Sequence, residues 1–149
     1  DNPNIYLDEN SERMCRAHRQ MFEKLIGQLI SEGDAERALK ALDYCMEQIP
    51  GTTVRHNHWS CPFVEYYYLL GEYEKAQQLS DLIGNTALDN LRYLNSLTPR
   101  QKNSAIDEIT NNLASIQYLA TIAERYNPTD LKKYYSEFQN YMRLFHLTK

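Results

Sequence analysis

His56, His58 and Cys61 form the only grouping in the chain with metal-ligand residue types. The pattern His-x-His-x-x-Cys offers three ligands from one loop, and no distant fourth residue completes a tetrahedral set. Trp59 stands among them and reads more simply as a plug between helix pairs. Arg13, Arg16 and Arg19 recur at i, i+3, i+6, a spacing that suits anionic headgroups or an acidic partner. Asp8, Glu12 and Glu23 dilute that charge, and a solvated face is the plainer reading. In the run Tyr66-Tyr67-Tyr68, consecutive side chains point about 100° apart on a helix, so the three cannot all be buried. Tyr67 and Tyr68 are assigned to the core, and Tyr66 to a concave face open to a peptide. Tyrosine suits such surfaces because it is large, stiff and amphipathic. Paired acids such as Asp107-Glu108 have no histidine or nucleophile in relation to them. No nucleophile elbow, phosphate loop or dinucleotide fingerprint occurs, so no catalytic residue and no cofactor are expected.

The elements that must carry these residues read as helices. Asp8 or Asn10 caps a first helix whose stripe is Cys15, His18, Phe22, Leu25 and Leu29. It ends near Ser31, with Gly33 as a left-handed cap. Asp34 caps a second helix carrying Ala35, Ala38, Leu42, Cys45 and Ile49, which Pro50-Gly51 ends. After a loop over 51–60, Ser60 is expected to cap a short third helix with Pro62 in its first turn. A fourth helix carries Ala76, Leu79, Ile83, Ala87, Leu91 and Leu94. Its stripe stays in phase through Gly84-Asn85-Thr86, which predicts one long helix. A fifth, capped at Thr98-Pro99, shows Ile106, Ile109, Leu113, Ile116, Ala120 and Ala123. A sixth, after Asn127-Pro128, shows Leu131, Tyr135, Phe138, Met142 and Phe145. The expectation is an all-α chain of about six antiparallel helices.

Those helices contain an echo. Gly33-Asp34-Ala35-Glu36-Arg37-Ala38 recurs as Gly71-Glu72-Tyr73-Glu74-Lys75-Ala76, 38 residues on. Apolar character is kept at the same offset: Leu25 with Phe63, Ile26 with Val64, Leu29 with Tyr67, Ile30 with Tyr68, Ala41 with Leu79, Cys45 with Ile83. Glycine reaches positive φ in a tight reversal without steric cost, and the alanine five residues later lets two helices cross closely. Such a period marks a helical repeat protein, and this one resembles the tetratricopeptide repeat. The resemblance implies hairpins stacked in a right-handed αα superhelix. One domain over 1–149 is expected, with an irregular lead-in over 1–9 and hairpins over 10–50, 60–97 and 98–147. The last lacks the glycine and alanine marks and reads as a divergent or capping unit.

Bulk properties narrow the classes. With 149 residues and 42% hydrophobic content the chain can bury a core. A formal net charge of −4 argues against nucleic acid. No apolar run approaches the ~18 residues of a membrane span, and no signal-peptide pattern opens the chain. It begins on Asp1 rather than Met, as a processed product or fragment would. Three cysteines make no disulfide framework. Mirrored about the Gly33 turn, Cys15 and Cys45 miss each other by about 7 Å along the helices, so both read as free buried thiols.

Four stretches together resemble a more particular family. They are Asn2-Pro3-Asn4-Ile5-Tyr6-Leu7-Asp8-Glu9, Leu42-Asp43-Tyr44-Cys45-Met46-Glu47-Gln48-Ile49-Pro50, Pro62-Phe63-Val64-Glu65-Tyr66-Tyr67-Tyr68-Leu69-Leu70-Gly71 and Asp89-Asn90-Leu91-Arg92-Tyr93-Leu94. They are similar to the C-terminal soluble region of large bacterial multi-pass membrane proteins whose membrane part is similar to protein O-mannosyltransferases. The resemblance implies a membrane-attached parent and an extracytoplasmic, periplasmic location. It brings no catalytic residue to this chain. The function expected is a non-catalytic interaction domain that binds a protein, a peptide or the membrane portion of its own parent. Partner contacts are assigned to Tyr66, Trp59, Arg13 and Arg16, and the turns and crossings to Gly33, Ala38, Gly71 and Ala76. A free-standing cytosolic tetratricopeptide-type adaptor is the alternative. A small metal-binding or enzymatic domain using the 56–61 loop is the third.

Overall fold

The computed structural model describes residues 8–50 and 55–147. Among them are seven α-helices and no strand: α1 (Glu9–Ser31), α2 (Ala35–Gln48), α3 (Cys61–Leu69), α4 (Tyr73–Asn95), α5 (Pro99–Ser104), α6 (Ile106–Tyr126) and α7 (Pro128–Leu144). A 3-10 turn over His58–Ser60 leads into α3. The chain divides into two compact units, Asp1–Ala76 and Gln77–Lys149, with the boundary in the first turns of α4.

In the first unit α1 and α2 form a packed hairpin. Asp8 caps α1 by accepting from the Ser11 amide at 2.8 Å, and Asp34 caps α2 by accepting from the Arg37 amide at 3.2 Å. Gly33 lies at φ +78° and Gly71 at φ +80°. Around Gly33, its own amide reaches the Ile30 carbonyl (3.0 Å) and the Asp34 amide the Leu29 carbonyl (2.9 Å). Around Gly71, the corresponding bonds join Gly71 to Tyr68 (3.1 Å) and Glu72 to Tyr67 (2.8 Å). These are two Schellman caps built on equivalent residues, and each needs a left-handed position that only glycine takes cheaply. Ala38 and Ala76 are fully buried.

The inner face of α1 departs from the expected stripe. Arg19 and Ile26 are its buried residues, while His18 and Leu25 face outward. Leu25 and its 38-residue counterpart Phe63 therefore differ: 47% exposed against 1%. The stripe is turned by about one residue, because an arginine that reads as polar occupies the inside. On α2, Ala38, Leu42 and Cys45 are buried, as is Ile49 just past its end, and Ala35 is exposed. Phe63, Val64, Tyr67 and Tyr68 of α3 are core, with Tyr66 half-buried. Cys45 and Cys61 are buried and Cys15 half-buried, all three as free thiols.

In the second unit α4 runs unbroken through Gly84, and Leu79, Ile83, Ala87, Leu91 and Leu94 are all buried. Thr98 begins α5 with a reciprocal capping box: its hydroxyl accepts from the Gln101 amide, and the Gln101 side chain accepts from the Thr98 amide. Where one helix was expected, the chain breaks at Ala105 (φ −103°, ψ 17°), whose amide is shared by the Gln101 and Lys102 carbonyls. Ile106 accordingly starts a new helix with an exposed side chain, and the buried stripe of α6 begins at Ile109. It broadens to include Ser115, Leu119 and Ile122. On α7 the inward residues are Tyr134 and Tyr141, not Tyr135, which is 58% exposed. The helix ends at Leu144, before Phe145.

Tyr134 goes inside because it finds a polar partner there. Its hydroxyl lies 3.0 Å from Ser80 Oγ, both groups being buried. A Cβ on Gly84 would stand 3.0 Å from Tyr134 Cε1, 3.1 Å from its hydroxyl and 3.4 Å from Leu119 Cδ1. Gly84 is thus the hole into which the Tyr134 ring packs, which is why a glycine is kept in mid-helix despite its cost of about 1 kcal/mol there. Gln77 and Asp130 bond at 2.7 Å, and Asn127 donates to both, closing the start of this unit's α4 onto the α6–α7 junction. Gly84→Leu is expected to destabilise the chain by about 2 kcal/mol through overpacking, measured by urea denaturation; unchanged stability would mean the Tyr134 ring is not seated against Gly84.

Candidate binding site

The first unit carries a cleft of about 280 Å³ between α1 and the 57–60 turn. Arg13, Arg16, Ala17, Arg19 and Gln20 line it from α1, and Asn57, Trp59 and Ser60 from the turn. Three of the four residues expected to meet a partner are here: Arg13, Arg16 and Trp59. Tyr66 is elsewhere. Its hydroxyl donates to Glu23 Oε1 at 2.7 Å, and it presses on Gly27, where a Cβ would meet that hydroxyl at 2.7 Å. It braces α3 against α1.

Arg19 forms the floor. It is 5% exposed, and its guanidinium donates to the Ile49 carbonyl through Nη2 (2.6 Å) and Nε (3.2 Å) and to the Arg55 carbonyl through Nη1 (3.3 Å). Ile49 is the C-cap of α2, a helix with no basic residue in its own last turn. Arg19 therefore supplies, from another helix, the cation that the carbonyl-rich end of α2 attracts. Burial lowers its pKa to about 10, still well above neutrality.

The turn is shaped by Asn57 and His56. Asn57 Oδ1 accepts from the Trp59 amide at 3.1 Å and caps the 3-10 turn. Ser60, expected as a side-chain cap for α3, makes no such bond. Its hydroxyl faces His56 Nδ1 at 2.9 Å, with both residues buried. Burial first, and repulsion from Arg19 second, push the His56 pKa down to about 3. His56 is a neutral hydrogen-bonding spacer at pH 7. So weak a base is poorly suited to activating Ser60, although the pair has the residue types of a nucleophile and its base.

Among the described residues no three His, Cys, Asp or Glu side chains gather into a set for a metal ion. His56 is committed to Ser60. His58 leans on the indole of Trp59, with ring centroids 4.6 Å apart. Burial raises the Cys61 thiol to about 12 and the Cys45 thiol to about 11, keeping both protonated. Trp59 is no plug: it is 60% exposed at the lip of the cleft. The cleft rim keeps two arginines facing solvent. Arg16 holds Glu12 Oε1 at 2.7 Å, one turn back, and Arg13 donates to Asn10 Oδ1 at 3.2 Å. Gln20 and Asn57 were not singled out from sequence; the Asn57-x-Trp59 spacing of an Asx turn was the available signal.

Compared with protein-family models, curated proteins and solved structures, the chain matches none of them.

The three arginines separate by experiment. Arg19→Gln is expected to lose about 2–3 kcal/mol in denaturant unfolding, from orphaned carbonyls and lost charge-assisted bonds. Arg13→Gln and Arg16→Gln should each stay within about 0.5 kcal/mol of the parent, as exposed residues do. His56 sets a pH dependence. Its folded pKa lies below its unfolded value of 6.5, so the unfolded chain takes up the extra proton. Its contribution is complete above pH 6.5 and falls as pH drops towards about 3, at up to about 1.4 kcal/mol per pH unit. Unfolding free energies measured across that range should show the slope, and His56→Gln should remove most of it.

Proposed function

We propose that this chain is a non-catalytic, tetratricopeptide-like interaction module that binds a protein or peptide partner through the α1–turn cleft. The observation that carries the reading is the exposed Trp59 standing across a cleft from Arg13 and Arg16. An aromatic anchor beside arginines is the composition that dominates binding surfaces. Support for the repeat character comes from the matched Schellman caps at Gly33 and Gly71 and the buried Ala38 and Ala76. The neutral His56 and the protonated Cys45 and Cys61 favour recognition over catalysis.

We further propose that the module is the soluble, extracytoplasmic part of a bacterial membrane protein resembling the O-mannosyltransferases, with its partner a protein segment or the membrane portion of the same parent. Sequencing of the encoding gene tests this part. Membrane spans encoded ahead of Asp1 support it; an in-frame start codon directly ahead of Asp1 makes the module a free-standing adaptor. Binding is tested by probing the immobilised chain with an array of synthetic 12-residue peptides. Saturable binding of a subset is expected, with Trp59→Ala weakening it about ten-fold or more. An array with no binding peptide would refute the module reading.

A further inference from the structure

We infer that the cleft recognises an acidic peptide segment, with carboxylates on Arg13 and Arg16 and an apolar or aromatic side chain on Trp59. This rests on the interaction reading above and names the chemistry of its partner. A guanidinium offers five N–H donors in a fixed fork and no acceptor. The cleft rim presents two of them, and a third guanidinium, whose donors are spent on the Ile49 and Arg55 carbonyls, adds its charge at the floor. A ligand seated there must be rich in acceptors, and a charged acceptor makes the stronger bond.

The molecule already displays the interaction. Glu12 Oε1 sits 2.7 Å from Arg16 Nη2, a carboxylate supplied from the same helix. Arg16 and Glu12 are both about two-fifths exposed in their side chains, so the pair is open to competition. Glu12 spans one turn of helix and engages one guanidinium nitrogen, whereas an incoming carboxylate can take the planar fork in bidentate fashion. Its gain over Glu12 is therefore geometric. The charge at the cleft floor has the matching sign, because the Arg19 guanidinium lines it beneath Arg13 and Arg16. The other wall is Trp59, set in place by Asn57 and flanked by His58. Its exposed face gives an apolar platform beside the cations. The cleft volume of about 280 Å³ accommodates one or two side chains of an extended segment rather than a whole folded element.

The sequence contains a single tryptophan, so its fluorescence reports on this cleft alone. The experiment titrates the chain with a 12-residue peptide bearing three glutamates and one phenylalanine, and with the same peptide carrying glutamines. The glutamate peptide should shift Trp59 emission saturably, and the glutamine peptide should bind at least about ten-fold more weakly. Raising salt to about 0.5 M should weaken the glutamate peptide. Arg13→Gln/Arg16→Gln should reduce affinity about ten-fold or more while circular dichroism and thermal melting stay unchanged. Glu12→Gln, which releases Arg16, should tighten binding by about two- to five-fold. Equal binding of both peptides would overturn the acidic-segment inference and leave the interaction reading standing. A full emission shift with inorganic phosphate alone, or with vesicles of anionic lipid but not with the peptide, would overturn it in favour of those ligands. No response from either peptide sinks the inference, and a blank array in the preceding experiment sinks the wider reading with it.

Discussion

A guanidinium buried where α2 ends organises the first unit. Arg19 leaves α1, crosses to the Ile49 carbonyl and continues to the Arg55 carbonyl. One side chain therefore fixes three pieces of backbone: the middle of α1, the end of α2 and the segment that leads into α3. The favourable part is a cation at a helix C-terminus, satisfying acceptors that the helix cannot satisfy itself. The unfavourable part is desolvation, visible in the lowered pKa of Arg19 and again in His56, which it holds neutral. Burial here is tolerable because the charge is hydrogen-bonded on several sides. The cleft exists because this anchor draws the 55–60 segment alongside α1 and leaves Arg13, Arg16 and Trp59 around the gap.

The reversals follow a second constraint. A helix that stops and turns back within a few residues must find partners for its last carbonyls, and the Schellman arrangement does so at the cost of one left-handed residue. Gly33 and Gly71 supply it at equivalent places. His146 supplies a third: at φ 56° its amide reaches the Arg143 carbonyl and the Leu147 amide reaches the Met142 carbonyl. The same geometry thus closes α1, α3 and α7, with a histidine taking the strained position in the last.

Within the second unit, packing is tuned by what is missing from a side chain. Gly84 makes room for a ring, and that ring brings a hydroxyl that Ser80 receives. Shape and hydrogen bonding are satisfied together, so the tyrosine at 134 is buried and its neighbour at 135 is not. The polar clasp of Gln77, Asn127 and Asp130 adds a second tie at the edge of the same unit.

Helix type, the long unbroken α4, the positions of Gly33 and Gly71 and the core role of Tyr67 and Tyr68 were all readable from sequence. Each rests on local physics: period, proline and glycine stereochemistry, and cap residues act over a few neighbours. The inner faces of α1 and α7 were not readable. A pattern of apolar letters ranks Leu25 above Arg19 and cannot rank Tyr135 below Tyr134. Those choices are made by partners 30 and 54 residues away, the Ile49 carbonyl and the Ser80 hydroxyl. The site divides along the same line. Residue types nominated Arg13, Arg16 and Trp59, but only the fold could bring two helical arginines across from a tryptophan in a distant turn. The same fold withdrew Tyr66 to brace α1 and turned His56 and Ser60 toward each other, because a buried polar group goes where its hydrogen bond is.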